Sequence, residues 1–119
     1  MDQPVKHSSI EIKVGLNEEN IPVQINWEAE DDPDHQGARE CKAMLVALFD
    51  KETKDTLKID LWTREMQVME MDRFFYQTLR AMADTYYRAT QNAQLATDLQ
   101  RFVQYFGEET EILPKPGKA

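Results

Sequence analysis

The 119-residue chain has one cysteine, Cys41, two histidines, His7 and His35, and four glycines, and each shortage removes a class of chemistry. A single cysteine closes no internal disulfide, which fits a reducing compartment. Nucleophilic catalysis needs a Ser, Thr or Cys set beside a histidine base. His7 stands in an aperiodic terminus and His35 in an acidic loop, and neither position is built for that work. With no G-x-S-x-G and no glycine-rich phosphate loop, hydrolase and nucleotide-binding signatures are missing. No apolar run approaches the ~20 residues needed to span a bilayer. The opening MDQPVKHSSIEIKV has no uninterrupted apolar stretch to act as a signal-peptide core. Basic charge is short as well: 14 Lys and Arg against 22 Asp and Glu leave a net charge of −8, which opposes binding to nucleic acid or to an anionic membrane. These absences lead to the expectation of a cytoplasmic protein with no enzymatic activity, no cofactor, no metal and no direct membrane insertion.

What remains is a foldable chain, since 41% hydrophobic and 30% charged residues are the proportions of a globular protein rather than a disordered one. Its length suits a single domain over residues 1–119 with one modest core. The expected ordered part is residues 8–107, between a flexible N-terminus at 1–7 and a tail at 108–119. Charge is divided unevenly: residues 1–50 carry eleven acids against four bases, residues 51–119 eleven against ten. Glu28, Glu30, Asp31, Asp32 and Asp34 concentrate the acidity. Such a cluster offers hard oxygen ligands, but it lacks the spacing of a calcium loop, and a solvated charged loop accounts for it. His35 reads the same way, as a polar loop residue rather than a zinc ligand. Cys41, with no ligand or base near it in sequence, reads as a buried or half-buried structural thiol.

The pattern of apolar residues then sets the elements. Ile10, Ile12, Val14 and Leu16 alternate with polar neighbours, and so do Ile21, Val23, Ile25 and Trp27, which predicts two half-buried strands. Asn17 and Asn20 suit the turn between them, and Pro22 belongs at a strand start or an edge. Residues 30–37, EDDPDHQG, form a loop. Residues 39–50, RECKAMLVALFD, are ambiguous: Ala, Met and Leu favour helix, while the dense run 43–49 suits a strand buried on both faces. The polar turn at 50–55 and the alternation of Leu57, Ile59 and Leu61 beyond it decide for a strand, because a strand there needs a partner.

After Trp62 the period changes to about 3.6. Val68, Met71, Phe75, Leu79, Met82 and Tyr86 recur at three and four, with Phe74 and Ala83 widening the stripe. Arg73, Gln77, Arg80, Asp84 and Arg88 form an opposite, solvated stripe, in which Asp84 and Arg88 make an i,i+4 pair. Thr63 is a candidate N-cap without a capping-box acid, and the helix should end near residues 90–92. A second helix is predicted over 93–106, with Leu95, Leu99, Phe102 and Phe106 on one face and Gly107 as its stop. The expected fold is therefore α+β: a four-stranded antiparallel sheet followed by two C-terminal α-helices, which cover one face of the sheet or pack on another subunit.

Residues 43–49 offer apolar groups to both faces, more than two helices readily cover, so a homo-oligomer, dimer or tetramer, is expected. Met71 and Met82 read as core, while Met66 and Met69, at the junction of strand and helix, are equally suited to an adaptable binding surface. With Trp62, Tyr76 and Tyr87, which add aromatic area outside the helical stripe, Met66 and Met69 make the candidate protein-binding set. The arginine stripe fits an acidic partner or simply a wet helix face.

Three segments carry a resemblance: TLKIDLW, FFYQTLRAMADTYYRAT and, more weakly, NIPVQINWEAED. Together they make the chain similar, from Ser9 to Phe106, to the gliding motility-associated GldC family. The loop DDPDHQG and the proline-rich tail depart from that pattern. The resemblance implies a cytoplasmic accessory protein of gliding motility acting through contacts with other proteins or polypeptides, and carries over no catalytic motif. The order of four strands and then two helices also resembles the export chaperone SecB in arrangement. That likeness implies an alternative, a chaperone or escort for unfolded or export-bound chains, although fold alone does not give function.

Overall fold

The computed structural model describes residues 2–34 and 37–117, and the chain divides into two compact units, residues 1–66 and 67–119. Among its described residues the first unit has strands, turns and loops and no helix. β1 (Ile10–Leu16) and β2 (Pro22–Ala29) form the predicted antiparallel hairpin. Its turn is held by the Asn17 side chain, whose Oδ1 accepts the N–H groups of Glu19 at 2.9 Å and Ile21 at 3.0 Å. Asn20 takes the left-handed conformation, φ 62°, which asparagine tolerates better than most residues. Pro22 opens β2, where its missing N–H costs least.

One four-stranded sheet was expected; among the described residues there are instead five strands in two ladders, β1-β2-β3 and β4-β5. The single strand predicted over residues 39–50 is interrupted at Lys42, where the chain bends. β3 (Arg39–Cys41) pairs with β2, and β4 (Ala43–Phe49) pairs with β5 (Thr56–Trp62). The reason lies in β2. Ile25 faces Cys41 in the last pair of that ladder, and β2 begins only three residues before Ile25, so the same register continued could add no more than three pairs. The ladder to β2 runs out, and the chain turns to a new partner, as strands do where they pass from one sheet to another.

In the three-stranded sheet the alternation is clean. Ile12, Val14, Ile25, Trp27, Arg39 and Cys41 share one face by register, and Glu11, Lys13, Asn26, Glu28 and Glu40 share the other. Ile25 is 0% exposed because it sits mid-strand with a neighbour on either side, Val14 and Cys41. Beside it the Arg39 guanidinium lies 5.6 Å from the Trp27 ring centroid and 3.5 Å from Asp32, so a cation–π contact and an ion pair fix the start of β3.

The β4–β5 turn is organised by Asp50, whose carboxylate accepts the N–H groups of Thr53 at 2.8 Å and Glu52 at 3.0 Å. These bonds to Thr53 and Glu52, with a further one to the Thr53 side chain, hold the Asp50 carboxyl below the usual carboxylate range. That contribution is present above the ordinary carboxylate value and is lost as the pH falls through the lowered one. In β5 the Lys58 ammonium lies 2.8 Å from Asp60. This hydrogen bond, and then the charge of Asp60, raise the lysine above its ordinary value.

The second unit is a helical hairpin, α1 (Val68–Thr90) and α2 (Ala93–Glu109). The cap of α1 is Gln67 rather than Thr63: the Gln67 N–H donates to the Glu70 carboxylate at 3.1 Å, half of the reciprocal pattern that starts helices. Thr63 stays with the strands, buried, its N–H donating to the Lys42 carbonyl at 2.8 Å. α1 stops where predicted, on Gln91 in the left-handed conformation at φ 60°. Asn92 then caps α2 by accepting the Leu95 N–H at 3.1 Å. The expected Asp84–Arg88 pair is present at 3.0 Å.

Gly107 does not end the second helix. It is buried inside α2, which runs on to Glu109. A Cβ built on Gly107 would lie 2.7 Å from Cε1 of Tyr76 and 2.7 Å from Cδ1 of Leu113, so the residue is glycine to let a ring and a returning chain approach the helix. The Leu113 N–H closes that return on the Gly107 carbonyl at 2.9 Å.

Candidate functional site

The seam between α1 and α2 is built from small residues: Ala83, Ala96, Val103 and Gly107 are its buried members. Helical spacing places Tyr76, Arg80, Ala83 and Tyr87 on the side of α1 toward α2, where Tyr76, Arg80 and Asp84 line a cleft with Gln100, Val103 and Gln104. Phe74, Thr78, Ala81 and Thr85 fall on the opposite side, flanked by Met82 and Tyr86. These residues, with Gln77, line a shallow depression of about 570 Å³ that carries no charged side chain. A helix with apolar groups on both sides is ordinarily buried on both. In this hairpin α2 takes one side, and Met82 is 53% exposed on the other.

This face differs from the set chosen by sequence. Trp62 ends β5 and is 57% exposed, and Met66, half-buried, follows it in the first unit. Met69 is 80% exposed at the start of α1, Tyr87 is exposed near its end, and Tyr76 is half-buried against Gly107. Met69, Tyr76 and Tyr87 lie at spacings of seven and eleven, on the stripe that faces α2. The open face of Phe74, Ala81, Met82 and Tyr86 was missed because Phe74, Met82 and Tyr86 read as core from their periodicity alone. The predicted apolar face of α2 is similarly divided: Leu95 and Phe102 are exposed, and Ala96 and Val103 do the packing.

Cys41 is half-buried. Burial pushes its thiol up, a backbone hydrogen bond involving Ala43 partly offsets this, and the Glu40 carboxylate adds to the rise. Since the thiolate is the reactive form, Cys41 should be alkylated by iodoacetamide at pH 7 more slowly than a free cysteine in a short peptide; equal rates would contradict its burial. In the acidic segment Asp32 pairs with Arg39 and accepts the Asp34 N–H at 3.0 Å. His35 lies outside the described residues. Among the described residues no three His, Cys, Asp or Glu side chains gather as a metal-holding group, and no helix is long and apolar enough to cross a membrane.

Fold and surface together define a small α+β protein in which strand hairpins precede a helical hairpin with one apolar face open. A family model described as gliding motility-associated protein GldC-like matches residues 22–112. The chain belongs to that family, and the match takes in β2 through α2. Searches of curated proteins and of solved structures each returned no significant match.

Proposed function

We propose that this protein is a non-enzymatic, cytoplasmic accessory protein of gliding motility that works by binding another protein through the open face of α1. The observation that carries this reading is the uncharged depression beside Met82, with Phe74 and Tyr86 at its two ends. A protein surface whose centre is apolar and free of charge matches the core of an interface rather than its rim. A helix face of this length fits an amphipathic helix laid along it.

Capture of the tagged protein from a lysate of its own organism, under gentle crosslinking and with quantitative mass spectrometry, tests this. One or two motility proteins at near-stoichiometric yield are expected. The Met82→Glu variant, which puts a charge into the lining of the depression, should recover at least about tenfold less of them. Unchanged capture by Met82→Glu would remove the α1 face from the reading. A broad spread of unrelated, aggregation-prone chains would favour the second reading, a SecB-like holdase. The exposure of Val68 and Met69, both 80% open, is the observation on its side.

A further inference from the structure

We infer that two copies of this chain associate through the outer edge of β5, antiparallel and centred on Ile59, turning two β4–β5 ribbons into one four-stranded sheet. This concerns self-association and stands apart from the partner of α1.

The ribbon is incomplete by itself. Met44, Val46, Leu48, Leu57, Ile59 and Leu61 share one face by register, and that face is wholly apolar. Two strands alone are at best marginally stable in water, and a third strand or a helix is ordinarily needed. No other described strand pairs with β5. Leu57 is 59% and Ile59 40% exposed.

The edge is also directed outward. At one end of the ladder the Thr63 N–H donates to Lys42, and at the other the Asp55 carbonyl accepts from Asp50. Both residues keep the register in which Ile59 faces Val46. Hydrogen-bonding positions alternate along an antiparallel strand, so Leu57, Ile59 and Leu61 direct their peptide groups to β4 with Asp55 and Thr63. Those of Lys58 and Asp60 face away, available to another strand.

The sequence of that edge fits a second copy of itself. In TLKIDLW, antiparallel pairing about Ile59 sets Lys58 opposite Asp60 of the other copy, and Asp60 opposite its Lys58. Leu57 meets Leu61, and Ile59 meets Ile59. Two reciprocal charge pairs and three apolar pairs result, with no like charges opposed, which is the self-complementarity a two-fold interface requires. Within one copy Lys58 and Asp60 pair with each other on the surface, their side chains 66% and 42% exposed, so both are available to exchange partners. β1 has a similar alternation, Glu11 and Lys13 about Ile12, but β1 already belongs to a three-stranded sheet. β4 continues directly from β3, whose partner is β2. β4 has one neighbour as well, but its sequence AMLVALF holds no charged residue to set a self-complementary register, whereas β5 does.

Sedimentation velocity of the full chain across a concentration series at low ionic strength reads the association directly. The native chain should dimerise. Lys58→Glu and Asp60→Lys should each weaken self-association roughly tenfold or more, because each opposes like charges twice across the two-fold. Mixing the two variants should restore a heterodimer. The introduced glutamate of one chain then meets the introduced lysine of the other, and the native Asp60 of the first meets the native Lys58 of the second, while the contacts within each chain stay repulsive. A role confined to one chain gives no such rescue. In a Cys41→Ser background, Ile59→Cys should crosslink to itself on mild oxidation, since opposed non-hydrogen-bonded positions lie about 4.5 Å apart at Cα. Circular dichroism of each variant separates lost association from lost fold. A monomeric native chain, failure of the mixture to recover, or a dimer broken by Glu11→Lys and untouched at β5 would overturn the inference.

Discussion

Ile25→Ala is expected to lower the stability of the fold by about 3–4 kcal/mol in urea denaturation, the upper part of the range for large aliphatic side chains cut to alanine. Ile25 is the one large side chain that the described residues bury completely, and it lies mid-strand between Val14 and Cys41. Both neighbours are held by backbone ladders, so the gap cannot close by moving one strand, and a cavity adds to the lost transfer energy. Ile25→Val, which removes a single methylene, should cost about 1 kcal/mol. Val23→Ala is the internal control. Val23 is on the same face two residues earlier but 41% exposed, and its loss should be about 1 kcal/mol or less. If Ile25→Ala proved no worse than Val23→Ala, the three-stranded sheet would not hold the core of the first unit.

Gly107→Val should be nearly as damaging in the second unit, with a loss of about 3 kcal/mol, at the upper end for overpacking a tight site. The alanine variant is the sharper test, because two effects disagree in sign. In the interior of a helix alanine is favoured over glycine by about 1 kcal/mol. Against that, a Cβ at Gly107 meets the Tyr76 ring and Leu113, each at 2.7 Å, and the ring edge is not a flexible tip that swings aside. The expected outcome for Gly107→Ala is a net loss of about 1 kcal/mol. In a Leu113→Ala background the loss should shrink, since one of the two obstacles is gone while Tyr76 remains. Stabilisation by Gly107→Ala in the native background would show that the ring gives way freely.

The strands were legible in the sequence because alternation is a direct record of one wet and one dry face: β1, β2 and β5 fall where Ile10 to Leu16, Val23 to Trp27 and Leu57 to Leu61 alternate. The bend at Lys42 was not legible, because one lysine inside a strand is ordinary and the continuous apolar run 43–49 has no period to interrupt. What breaks there is a partnership with β2, a strand that starts only three residues before Ile25. The cap of α1 did have a signal, Glu70 three residues after Gln67, but glutamine is a weak mark of a cap and Thr63 a strong one. Gly107 was misread for a physical reason: a glycine that ends a helix and a glycine that admits a neighbour look the same until the neighbour is known. Its neighbours Tyr76 and Leu113 become known only when the hairpin closes. The open face of α1 was hidden in the same way, since periodicity shows which side chains avoid water but not which of them α2 reaches.

The connections hold one more consequence. Each paired element has its partner next to it along the chain: β1 with β2, β2 with β3, β4 with β5, and α1 with α2 across Gln91 and Asn92. Each of these closures spans a short stretch of chain, with the acidic segment between β2 and β3 the longest. The search for these partners is therefore local and its entropic barrier low, a topology that favours rapid folding. The newly made chain can form its hairpins one after another, in the order in which they leave the ribosome.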